Sequence, residues 1–206
     1  MTCLLEAQDL HLWRGEQHVL RGASLSVDAG TCLCLVGANG AGKSSLLRVL
    51  AGLLPPESGS IRWRGTDVLR DREGLHAELA WLGHGNALKA ELSADDNLRY
   101  SAGLRRALDD AAIRSTLARV GLAQLDARPV RQMSAGQQRR IALARVLLLG
   151  CPLWLLDEPT SNLDRAGQEL FDAMLGEHLA AGGLAIVATH HELRAGGARV
   201  ARLELS

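Results

Sequence analysis

Gly37-Ala-Asn-Gly-Ala-Gly-Lys43-Ser44 is the stretch that decides how the rest of this chain is read. It fits G-x-x-x-x-G-K-[ST]. A short apolar run, Cys32-Leu-Cys-Leu-Val36, precedes it and reads as a buried strand. Ser45-Leu-Leu-Arg-Val-Leu-Ala51 follows, with leucines at helical spacing. Strand, glycine loop and helix in that order is the context of a P-loop. Glycines let the backbone curl until its N–H groups point inward at phosphate oxygens. Gly37, Ala38, Asn39, Gly40, Ala41, Gly42 and Ser45 supply that cradle, and the helix start adds its positive end. Lys43 is placed to reach the outer phosphates and Ser44 to give its hydroxyl to Mg²⁺. The motif predicts nucleotide binding and leaves open what the nucleotide drives.

Outward from the loop, composition sets limits. At 206 residues, one α/β domain with a subdomain is expected. Lys+Arg and Asp+Glu both number 23, so no bulk basic charge points to nucleic acid as a partner. Met1-Thr-Cys-Leu-Leu-Glu6 lacks the charged-then-apolar form of a signal peptide. The most apolar region, Ile141 to Leu156, is interrupted by Arg145 and Pro152 and reads as two buried elements rather than a membrane span. A membrane role therefore requires a partner. Cys3, Cys32, Cys34 and Cys151 form no C-x-x-C pair and read as small buried hydrophobes of a reducing compartment.

The remaining segments fall in order along the chain. Leu4 to Val27 reads as antiparallel strands about a Gly15-Glu16 turn. Trp13, just before that turn, suits either stacking on an adenine ring or cross-strand packing. Gly52-Leu-Leu-Pro-Pro56 ends the P-loop helix, Ser60 to Gly65 alternates as a strand, and Glu78 to His84 is a strand leading into a loop. From about residue 86 to 131 the pattern becomes a helical insertion. There Ser93 with Asp96 resembles a capping box, and Asp109 or Asp110 caps a helix whose face holds Ile113, Leu117 and Val120.

Met133-Ser-Ala-Gly-Gln-Gln-Arg-Arg140 opens a helix expected from Gln137 to Leu149, giving a second helix end suited to an anion or a plain Ser134 cap. Leu153 to Glu158 is a buried strand ending in two carboxylates. Beside a P-loop, Asp157 is placed to hold Mg²⁺ and Glu158 to face an attacking water. Thr160 to Asp164 is a polar turn before a helix from Arg165. Leu184 to Thr189 is expected as the last core strand, with His190 and His191 at its end.

Together these strings resemble the ATP-binding subunit of ABC transporters over nearly the whole chain. Gly37–Ser44 is similar to Walker A, Ser134-Ala135-Gly136-Gln137 to the signature motif and Leu153–Glu158 to Walker B. Ser161 to Asp164 resembles the D-loop, His190 the switch histidine and Trp13 the adenine-stacking aromatic. The resemblance implies an α/β P-loop NTPase core with an N-terminal antiparallel β subdomain and a helical subdomain, in a single domain over 1–206. It also implies a head-to-tail homodimer on ATP binding, each ATP lying between one P-loop and the opposite signature motif. Mg²⁺ held by Ser44 and Asp157, water polarised by Glu158 and His190 at the γ-phosphate complete that expectation.

One position departs from the general pattern. The lid loop after Trp81-Leu82 ordinarily carries glutamine, and here His84 stands there. Gly83-His84 and Ser-Ala-Gly-Gln-Gln-Arg-Arg resemble the CcmA type, the ATPase of the haem exporter in cytochrome c maturation. That implies CcmB-, CcmC- and CcmD-like membrane partners and a peripheral place on the cytoplasmic face of the bacterial inner membrane. Another small exporter, for lipids or peptides, is the alternative; a non-transport ABC ATPase of DNA repair or translation is the lesser one, since the chain has neither a long coiled coil nor a second cassette. His84 reads as a hydrogen-bonding substitute for glutamine, with iron ligation the lesser reading.

Overall fold

A computed structural model describes residues 3–105, 107–124 and 127–205. In chain order the first half holds β1 (Cys3–Arg14), β2 (Gln17–Asp28), β3 (Thr31–Val36), α1 (Lys43–Leu50), β4 (Ser58–Trp63), β5 (Thr66–Asp67), α2 (Arg72–Glu78) and β6 (Leu79–Leu82). The second half holds α3 (Ala94–Gly103), α4 (Asp110–Arg119), α5 (Ala135–Leu149), β7 (Leu153–Asp157), α6 (Arg165–Ala180), β8 (Leu184–Ala188) and β9 (Arg199–Glu204). A 3-10 turn at Val130–Gln132 leads into α5.

The strands form two sheets: an antiparallel one in the order β2-β1-β4-β5 and a parallel one in the order β6-β7-β8-β3-β9. A parallel sheet covered on both faces needs strands that are apolar throughout, and β7 and β8 are buried at every position. Alternation then divides each strand between two cores. Trp154, Leu156, Ala185 and Val187 pack with α5 and α6, whereas Leu153, Leu155, Leu184 and Ile186 pack with α1 and the antiparallel sheet. Cys32, Cys34 and Cys151 are buried, and burial pushes the Cys32 thiol up to about 12. They act as small hydrophobes. The side chain of Cys3 lies outside the described residues.

Several boundaries differ from the sequence reading. β8 is not the last core strand: β9 follows it and pairs in parallel with β3. α2 was not anticipated. α5 starts at Ala135, two positions before the expected start, because Ser134 and Gln137 close a reciprocal capping box. Ser93 caps α3 by accepting the Asp96 N–H, but its own hydroxyl donates to the Asp96 carboxylate, so the box there is not reciprocal. Of the two candidate caps for α4, Asp109 is the one used. The helical insertion is α3 and α4, packed on α5 through Leu98, Ile113 and Leu117; residues 106, 125 and 126 of the expected segment lie outside the described residues.

This topology brings the C-terminal ends of β3, β6, β7 and β8 to one edge. In an open α/β sheet that edge is where ligands bind.

Candidate functional site

The P-loop curls because its backbone takes conformations that side chains resist. Gly37 sits at φ 143°, and a Cβ there would lie 2.4 Å from the carbonyl oxygen of Leu205, so only glycine fits. Gly42, at φ 95°, is the N-cap of α1 and has no side chain to occupy the helix N–H groups. Lys43 is buried, and its ammonium donates to the carbonyls of Gly37 (2.7 Å) and Ala38 (3.0 Å). An ammonium has a third N–H. That donor remains for an anion in the loop.

A cavity of about 500 Å³ opens against this loop. Lys43 and Ser44 line it from α1, His84 from the loop after β6, and Asp157 and Glu158 from the end of β7. Asn39, Gly40, Gly42 and Ser45 of the loop line it as well. Glu158 has φ 49°, and its N–H donates to Ala188 O at 2.7 Å. This turn takes the chain out of the strand immediately after Asp157, so consecutive carboxylates both reach one cavity. His190 closes the edge: its Nε2 lies 3.6 Å from Glu158 Oε1 and 3.3 Å from Asn39 Oδ1. His191 turns away, with its Nε2 3.3 Å from Asp172 Oδ2 on α6. Only His190 of the pair faces the loop.

The signature residues lie elsewhere. Ser134, Ala135, Gly136, Gln137 and Asp164 line a second cavity of about 620 Å³, and among the described residues it shares none with the first. Gly136 is required there, since a Cβ would sit 2.9 Å from Asn162 O. Asp164 accepts from Gly167 N and from Arg140 Nη2, each at 2.9 Å. The Gly167 bond first and the Arg140 bond second hold its carboxyl below the usual carboxylate range.

The sequence profile of the ABC transporter family matches residues 20–161. The chain belongs to that family. Among its curated relatives is the cytochrome c biogenesis ATP-binding export protein CcmA of Methylococcus capsulatus, 48% identical over 188 residues that cover 91% of each chain. The CcmA of Vibrio cholerae is 41% identical over 203 residues, 98% of each. Among solved structures, an ATP-binding subunit of an ABC transporter superposes with TM-score 0.80 at 27% identity, covering 91% of this chain and 80% of that one. A dimeric cassette in a post-hydrolysis state, bound to ADP and Pi, has the same fold at 23% identity, with TM-score 0.79 over 91% of this chain and 88% of that one. The sequence resemblance and the expected α/β cassette fold are borne out.

Within this ABC cassette, Trp13 stands apart from the residues grouped with it by sequence. It is 48% exposed and is not among the described residues that line the P-loop cavity. Its ring stacks on that of His18, its cross-strand partner, with centroids 4.2 Å apart and planes at 3°. Strand alternation puts Trp13 on the face opposite Leu12 and Arg14. Arg14 is the residue that reaches the cavity from this hairpin, together with Gln17 and Val19. The signal was present in the sequence: Leu10 and Leu12 mark the inward face, and Arg14 continues it.

A second residue escaped the sequence reading. Arg139 on α5 is fully buried. Its Nε donates to Pro159 O (3.1 Å), its Nη1 to Gly83 O (3.3 Å) and Asn86 Oδ1 (2.9 Å), and its Nη2 to Asp157 O (2.8 Å) and Glu158 O (2.6 Å). Burial pulls its pKa down to about 10, while Asp157 and Glu158 oppose the shift, so the group is charged at neutral pH. An arginine three, four and seven positions before the buried Ala142, Leu143 and Val146 is a charge on an apolar stripe. Arg145 adds bonds to Asn86 O and Ala87 O, both at 3.1 Å.

Proposed function

We propose that this chain is the ATP-hydrolysing subunit of the export complex that serves cytochrome c maturation. The observation that carries the hydrolytic half is the meeting of Glu158, His84 and His190 at the P-loop cavity. What supports the cytochrome c role is identity of 41–48% to CcmA proteins over more than nine-tenths of the chain. The whole of 1–206 acts as one cassette, with residues 86–131 as its helical arm.

In this reading the P-loop N–H groups and Lys43 bind the phosphates, and Arg14 faces the base in the place assigned by sequence to Trp13. A guanidinium suits this place because it stacks on a flat π-face. Ser44 and Asp157 fit Mg²⁺, since both put hard oxygen ligands into the cavity, and Mg²⁺ takes one or two carboxylates plus substrate phosphates. When bound, the ion would neutralise charge on the phosphates. Glu158 accepts a proton from the attacking water, His190 positions the terminal phosphate beside it, and His84 supplies the polar group of the lid. Such a transfer relies on positioning and charge more than on covalent chemistry.

Because Ser134–Gln137 line a separate cavity, a second copy completes the site by presenting its signature turn to this P-loop. Closure on ATP and reopening after hydrolysis then move a membrane partner of CcmB, CcmC and CcmD type. Among the described residues no helix is long and apolar enough to cross a membrane. In this reading the cassette is a peripheral subunit on the cytoplasmic face of the inner membrane.

The test is deletion of the gene followed by haem staining of c-type cytochromes. Loss of the stained bands, restored by the parent gene and not by Lys43→Ala, is the expected result. Normal c-type cytochromes in the deletion strain would remove the maturation role and leave an ATPase of another exporter.

A further inference from the structure

Among buried charges outside the reaction described above, Arg139 has the densest set of partners. Carried on α5, its guanidinium bonds two chain segments that are far apart in sequence: the end of β7 through Asp157, Glu158 and Pro159, and the lid loop through Gly83 and Asn86. α5 begins at the signature turn, and Arg139 lies five positions after Ser134, on the second turn of that helix. Each N–H of the guanidinium meets an acceptor, so no rotation of the fork keeps all partners. Four of the five acceptors are backbone carbonyls, which a change of side chain at those positions would not remove.

From this we propose that Arg139 is a positioning residue for hydrolysis. It locks the carriers of Glu158 and His84 into one unit and fixes that unit to the signature helix. The proposal rests on the hydrolytic reading of the P-loop cavity. Its physical content is that Glu158 and His84 stand on short connections that could each move alone. Glu158 is at a positive φ just past a strand, and His84 is in a loop between β6 and α3. A planar cation bonded to the carbonyls of both connections removes that freedom. The same bonds make any displacement of the signature turn, as on contact with a second copy, a displacement felt at the hydrolytic edge.

Arg139→Lys keeps the charge and much of the stem, but a single ammonium replaces the fork and cannot reach the five acceptors on both segments. In the full-length protein, kcat for ATP hydrolysis should fall at least about tenfold. The Kd for ATP should stay within about threefold, because the phosphate cradle is untouched. Asn86→Ala removes one acceptor and leaves Gly83 O to receive the same nitrogen. It should lower kcat by about three- to fivefold with Kd unchanged, and the N–H left unpaired should lower the thermal midpoint by a few degrees without unfolding the protein. That second variant guards against the possibility that the lysine variant fails to fold.

Lys43→Ala and Glu158→Gln serve as controls. If both retain parental turnover, the hydrolytic reading itself is wrong. If both are inactive while folded Arg139→Lys and Asn86→Ala turn over within twofold of the parent, the positioning role is overturned. A parallel loss of ATP affinity and turnover would overturn it too, since that pattern belongs to general loosening of the fold.

Discussion

The P-loop cavity and the signature cavity differ in what they contain. The first draws on the ends of β3, β6 and β7 and on the β1–β2 hairpin, and it gathers two cations, two carboxylates and His84, with His190 beside Glu158 at its edge. The second is built from the start of α5, the turn before α6 and Gly121-Leu122 after α4, and its polar groups are largely satisfied internally. Ser134 and Gln137 cap each other, and Asp164 caps α6 and pairs with Arg140. One cavity has chemistry without closure, whereas the other offers a rigid, N–H-rich surface without chemistry. This division is what supports the proposed exchange of surfaces between two copies.

This contrast can be broken most severely at Glu158. Glu158→Gln removes the proposed general base, and turnover should fall by about 10²- to 10⁴-fold while ATP accumulates in a dimer. Size-exclusion chromatography under saturating ATP reads the outcome, and a monomer would count against the exchange of surfaces. Lys43→Ala should lower kcat/KM by about 10²- to 10³-fold, with much of the loss in binding, so no ATP-trapped dimer should form. The two variants thus separate binding from hydrolysis within one cavity.

Arg14→Ala and Trp13→Ala sharpen the comparison at the base end. Loss of a guanidinium stack should raise the KM for ATP by about two- to tenfold in Arg14→Ala. Trp13→Ala should change it by less than about twofold, because its ring lies on His18. A larger effect at Trp13 than at Arg14 would reverse the assignment.

The smallest effect belongs to the signature side. The Asp164 carboxyl is held below its usual value by Gly167 and Arg140, so the ionised form is the one that stabilises the fold. Its contribution is complete above the ordinary carboxylate pKa of about 4 and is lost as pH falls through the lowered value. Melting curves of the parent and Asp164→Asn should differ at neutral pH and converge in strong acid.

Legibility in the sequence followed the physics of burial. β7 and β8 are covered on both faces, so their apolar runs stood out, as did the glycine loop after β3. β9 is an edge strand with no fully buried residue, and its Arg and Glu residues masked it. α2 buries one residue, Leu75, which is too little to create a period. Within the site, Lys43, Ser44, Asp157 and Glu158 were readable because loop and strand-end chemistry is local. That Arg14 and not Trp13 lines the cavity follows from strand face, which residue type does not reveal, and Arg139 was missed because its partners are mostly carbonyls distant in sequence.

By itself the amino-acid sequence determined the P-loop, the order of motifs around it and the family to which they belong. Those features rest on backbone requirements and side chains within a few residues of one another. Tertiary structure alone decided that Arg14, not Trp13, enters the cavity, that His190 rather than His191 faces Glu158, and that Arg139 joins lid, carboxylates and signature helix. Each of these depends on direction and on distance across the fold, which one-dimensional spacing does not encode.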